Sequence, residues 1–163
     1  MSRWSFACLV VAGSSTAIAK PTTYGTHRIS VVTTAPVSIN GPRVLYLNRC
    51  IGGCTINAGD NNAASHTSSL PIGNGPFNVG AYSFGDAEWD QVVECMREVY
   101  SPYALAVTDT RPTSGSYAEE LIAGLPGDIG YTPDVLGIAN IEKHCSALDN
   151  VMAFVFANNH PKT

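Results

Sequence analysis

One stretch of this chain carries a clear helical period, and it constrains the fold more than any other. In "DAEWDQVVECMREVY", Trp89, Val92, Val93, Met96, Val99 and Tyr100 recur at the three- and four-residue spacing that places them on one helix face. Asp86 is the expected N-cap, Glu88 and Asp90 sit in the positive first turn, and Pro102 stops the helix. The apolar segments on either side, Val44 to Leu47 and Tyr103 to Val107, have the length of strands. A strand–helix–strand unit in one sheet favours a parallel pair with a right-handed crossover.

Three further apolar segments follow, at Glu120 to Ala123, Val135 to Ala139 and Val151 to Ala157. Gly-, Pro- and Asp-bearing turns separate them, too closely for a helix between every pair. The run "VMAFVFA" has no polar face and reads as a strand buried on both sides. The expected fold class is therefore α/β (α+β): a twisted mixed, mostly parallel sheet backed by one long helix. Between Cys50 and Asp86 the sequence is rich in Gly, Asn, Ser and Ala with little periodicity, and is expected to be a long loop pinned by covalent links.

The N-terminus bears on location. Arg3 makes a short basic region, Trp4 to Gly13 an apolar stretch too short to span a bilayer, and Ala17-Ile18-Ala19 a small-x-small cleavage pattern. Residues 1–19 are expected to be a signal peptide, 20–42 an extended leader or propeptide-like segment, and 43–163 the domain. The expected destination is extracellular or periplasmic. The chain has 9 basic and 13 acidic residues, and loss of Arg3 with the signal peptide widens the acidic excess. With no basic patch, nucleic acid and anionic membrane are excluded as expected partners.

Cys8 leaves with the signal peptide, so Cys50, Cys54, Cys95 and Cys145 remain. An even number in an exported chain points to two disulfides. Three pairings are possible, and the glycines of "CIGGC" favour Cys50–Cys54, which leaves Cys95–Cys145. The second bridge would close a loop of roughly 50 residues and contribute ~3–4 kcal/mol.

Taken by themselves, the residues present no complete active site. His27, His66, His144 and His160 include no HExxH and no i, i+4 pair, and no G-x-S-x-G elbow is present. His144 next to Cys145 is read as a disulfide neighbour rather than a thiol nucleophile. "GDNN" at Gly59 to Asn62 lacks calcium-ligand spacing and is read as turn chemistry, as are Asp109, Asp128 and Asp134. Glu119 and Glu120 would point to opposite faces of a strand and so cannot line one site. No catalytic residue and no metal ligand is assigned.

Whole segments carry more than single residues. "RVLYLNR", "GGCT", "TSSLP", "FGDAEWDQVVECMREVYSPYALAVTDTRP", "YAEELIAGLPGDIGY" and "HCSALDNVMAFVFAN", in that order, resemble the N-terminal half of the catalytic domain of secreted bacterial metzincin-like zinc metallopeptidases. The resemblance spans about Arg43 to Ala157. It implies a mostly parallel sheet with one antiparallel edge strand that binds extended peptide by strand addition. Val135, Leu136, Gly137, Ile138 and Ala139 are the implied substrate strand. In such enzymes the last strand leads into a helix whose HExxH-type motif supplies two zinc ligands and the general base.

That motif is missing from this sequence. The expectation is thus the N-terminal portion of a secreted zinc endopeptidase-like protein, inactive as this chain, with zinc a cofactor of full-length relatives only. The alternative is a stand-alone, disulfide-stapled secreted domain that binds peptide or protein without catalysis. Oligomeric state is not fixed by the sequence.

Overall fold

The computed structural model describes residues 43–141 and 148–159. They fall within one compact unit, Pro42–Thr163. The strands are β1 (Arg43–Asn48), β2 (Cys54–Ala58), β3 (Thr67–Ser68), β4 (Phe77–Val79), β5 (Leu105–Thr108), β6 (Ala118–Ile122), β7 (Gly137–Ile138) and β8 (Met152–Val155). Among the described residues a single α-helix, α1 (Asp86–Tyr100), joins the first four strands to the rest. Short 3-10 turns lie at Ala63–Ser65, Pro126–Ile129 and Ala157–Asn159.

The main sheet has the order β5-β1-β6-β8-β7. Its first three ladders are parallel, and β7 alone runs antiparallel, against β8. This is the mixed, mostly parallel sheet with one helix expected from the sequence. The expected long loop between Cys50 and Asp86 is corrected, because it contains a second sheet of order β3-β2-β4. There β2 pairs antiparallel with β4, placing Cys54 opposite Val79 and Ile56 opposite Phe77.

Register decides which side chains share a face. Tyr46 lies opposite Glu119, and Glu119 opposite Met152; Leu121 lies opposite Phe154, and Phe154 opposite Ile138. Tyr46, Leu121, Met152 and Phe154 pack with Ile56 and Val79, so the small sheet covers this face. By strand alternation Leu45, Leu47 and Ile122 turn to the other side. There α1 packs along β5 and buries Trp89, Val93 and Met96. Strands buried on both faces need apolar residues at consecutive positions, which explains "VLYL" in β1.

The helix keeps its sequence-derived bounds, but its start differs. Gly85 is the N-cap without a side-chain bond, and Asp86 is the first helical residue. Asp86 pairs instead with Arg49, whose guanidinium lies 5.6 Å from the Trp89 ring centroid. At the other end Ser101 Oγ donates to the Glu98 carbonyl at 2.7 Å, closing the last turn before Pro102. The following strand begins at Leu105 rather than Tyr103, which is 67% exposed.

Cys50 and Cys54 are bridged across a Cα–Cα distance of 5.1 Å. Gly52 and Gly53 both have positive φ within that loop, a conformation that residues bearing a Cβ rarely adopt. Cys95 is also disulfide-bonded. Its expected partner Cys145 lies outside the described residues, as do the signal peptide and the 20–42 segment. Among the described residues no helix is long and apolar enough to cross a membrane.

Candidate functional site

Two places in the fold concentrate chemistry. The first is a buried polar cluster between the two sheets. Glu119 turns from β6 toward the small sheet, and its side chain is fully buried. Asn48, at the end of β1, donates from Nδ2 to Glu119 Oε1 at 2.6 Å. Its own Oδ1 accepts the Cys50 N–H at 2.8 Å, which orients the amide. His66 caps the Ala63–Ser65 turn in the left-handed region, with φ 52°. That conformation brings its Nε2 to 3.3 Å from Glu119 Oε1, without the alignment of a hydrogen bond. Glu119 Oε2 is buried and has no hydrogen-bond partner among the described residues.

Beside the cluster lies a cleft of about 350 Å³, lined by Tyr46, Cys54, His66, Trp89, Asp109 and Arg111 among others. Its cations are engaged. Arg111 Nη2 donates to the Ala64 carbonyl at 2.9 Å and Nε to the Tyr117 hydroxyl at 3.3 Å. Burial, reinforced by the Glu119 charge, pushes the Tyr46 hydroxyl above its ordinary range, so it stays protonated. Among the described residues, the His66–Glu119 pair has no serine or free thiol beside it in the cleft to activate as a nucleophile. Its visible role is to join β1, β6 and the turn before β3.

The same residues do not fit zinc. Among the described residues no group of three or more His, Cys, Asp or Glu side chains is placed to hold a metal ion. His66 and Glu119 supply two donors, and the nearby Cys54 sulfur is held in its disulfide. A thiolate or third imidazole would be needed to complete a site. His27, His144, Cys145 and His160 lie outside the described residues.

The turn carboxamides and carboxylates act on backbone. Asn62 Oδ1 accepts from Ala64 and Ser65 N–H, and Asn61 Oδ1 from Ser69 N–H. Asp128 Oδ2 accepts from Leu125 at 2.9 Å and Gly80 at 3.1 Å.

Glu120 shares β6 with Glu119 but takes the helix-side face. Burial raises its carboxyl from an ordinary value of 4.5 to about 6. A raised folded-state pKa gives a contribution that is full below pH 4.5 and lost as pH rises through about 6. Glu120→Gln is therefore expected to raise stability above pH 6 by up to about 2 kcal/mol. It should also flatten the change between pH 4.5 and 6, read by urea unfolding at each pH. An unchanged slope would assign the linkage to another group.

The second place is the side of β7 away from β8, which pairs with no strand among the described residues. The Phe156 N–H donates to the Leu136 carbonyl at 2.9 Å. With Ile138 opposite Phe154, antiparallel alternation turns the backbone groups of Leu136 and Ile138 toward β8. Those of Gly137, and by the same alternation Ala139, face outward. A Cβ at Gly137 would lie 2.8 Å from the Phe154 carbonyl oxygen, so β7 approaches β8 only with glycine there. The edge is apolar, with Leu136 49% exposed.

The five sequence-derived residues Val135 to Ala139 thus lie together at one sheet edge, apart from the His66–Glu119 cluster. No sequence motif marks that cluster as a site. An acidic residue inside the buried segment "YAEELIAG" was the available signal for Glu119, whereas nothing in sequence ties it to His66. No family model, curated protein or solved structure matches this chain.

Proposed function

We propose that this domain binds an extended peptide by strand addition at the outer edge of β7, as the substrate-binding part of a secreted, metzincin-like zinc endopeptidase. The observation that supports this is the lone antiparallel edge strand in an otherwise parallel sheet, with the backbone of Gly137 turned outward. An added strand extends the sheet through main-chain bonds, while the alternate side chains of the peptide contact the apolar edge. The resemblance implies zinc chemistry on an HExxH-type helix; because these residues do not fit that metal, no cleavage step is assigned to them.

A second reading, a secreted binding domain without catalysis, uses the same edge. The stapling by disulfides at Cys50–Cys54 and Cys95 supports it.

Both readings predict that the purified chain binds a fluorescently labelled extended peptide and does not cleave it. Ala139→Pro removes one outward N–H at an exposed position whose predecessor is already extended. It is expected to weaken binding about fivefold by anisotropy, the worth of one hydrogen bond. Unchanged affinity in the variant would place the peptide elsewhere. Proteolysis dependent on added zinc would require ligands outside the described residues.

A further inference from the structure

The edge of β7 has chemical polarity along its length. From Val135 to Ile141 no residue is charged. Leu136 is 49% and Ile141 92% exposed, so the strip presents apolar surface to solvent. Immediately before it, in the turn at residues 133–134, stands the exposed carboxylate of Asp134. The Thr132 hydroxyl and the Asp134 backbone N–H hold that carboxyl below its ordinary range, so it is ionised at neutral pH.

The outward backbone of β7 sets how a peptide would run. In antiparallel pairing one residue exchanges both of its backbone bonds with a single partner residue. Gly137 offers one such outward pair. A parallel partner would draw slanted bonds from the same two groups to two of its own residues, a slightly less stable pairing per residue. The peptide therefore runs antiparallel to β7, and its C-terminal side reaches the end at which β7 begins. That is the Asp134 end.

We infer that the β7 edge selects an extended, uncharged apolar segment followed on its C-terminal side by lysine or arginine, which meets Asp134. This rests on the strand-addition reading above. The polar backbone supplies sequence-independent affinity, the apolar strip disfavours charge along the segment, and Asp134 fixes direction.

The test uses the purified chain and three labelled peptides built on one apolar extended core. One carries two lysines after the core, one carries them before it, and one carries two glutamates after it. The peptide with lysines after the core is expected to bind about two- to fivefold tighter than the one with lysines before it, the range for an exposed ion pair. The glutamate peptide should be the weakest. Asp134→Asn, an exposed substitution outside the strand, is expected to abolish the difference between the two lysine peptides, as is high salt.

Equal affinity of all three peptides for the unaltered chain would overturn the inference and leave strand addition standing. Tighter binding with lysines before the core would overturn the orientation. Binding of none of them would remove the strand-addition reading itself. Persistence of the preference in Asp134→Asn would assign the selectivity to another group and overturn the role given to Asp134.

Discussion

Replacing Asn48 by leucine is expected to destabilise the fold by about 3 kcal/mol, although the two side chains are close in size. The cause is the fully buried Glu119 carboxylate. Asn48 Nδ2 is its hydrogen-bond donor at 2.6 Å, and its other oxygen has no hydrogen-bond partner among the described residues. Leucine would leave the carboxylate with His66 alone, at 3.3 Å. It would also strip the buried Cys50 N–H of its acceptor.

Urea unfolding of the single variant reads this cost as a lower midpoint at unchanged slope. The cause is separated by a double-mutant cycle with Glu119→Leu. Once the carboxylate is gone, Asn48→Leu should cost much less, because no buried charge remains to be satisfied. Additive costs would mean that Asn48 acts through packing and the Cys50 contact. A single-variant cost below about 1 kcal/mol would show that Glu119 draws no important support from this amide.

Phe154→Ala is expected to cost about 3–5 kcal/mol by the same measurement. Phe154 is 1% exposed at the centre of β8 and stacks on Phe156 with ring centroids 6.5 Å apart. It also pairs in register with Leu121 on one side and Ile138 on the other, so its ring links three strands. Truncation leaves a cavity beneath β7 as well as removing the transferred area, and both terms add. On the proposed strand addition at β7, peptide binding should weaken alongside stability, since Ile138 loses the ring opposite it. Loss of stability with fully retained affinity would show that the edge is held by its backbone alone.

Legibility in the sequence varied from element to element for physical reasons. The bounds of α1 were plain because a helix repeats its apolar face over four turns, and Trp89, Val93 and Met96 are indeed its buried residues. Its cap differs: Asp86 has the right chemistry for an N-cap, but the Arg49 guanidinium competes for it and the backbone starts the helix one residue earlier, with Gly85 as the cap. The small sheet was not legible at all. In β2 only Ile56 is buried, while β3 and β4 have two and three residues, so no alternation exists to be read. Pairing with partners across the Cys50–Asp86 stretch, and the cover provided by the main sheet, make these segments strands.

Local chemistry written in the chain determined the helix, the apolar strand segments, the tight Cys50–Cys54 bridge and the strip from Val135 to Ala139. Each depends on residues close in sequence, where spacing alone decides geometry. Register, facing and burial were decided only by tertiary structure. Glu119 and Glu120 are neighbours of identical type, and their different surroundings follow from which face of β6 meets the small sheet. The meeting of His66 with Glu119 likewise depends on a left-handed residue in one sheet's turn reaching a strand of the other. No local pattern encodes that contact, because it exists only once the two sheets pack.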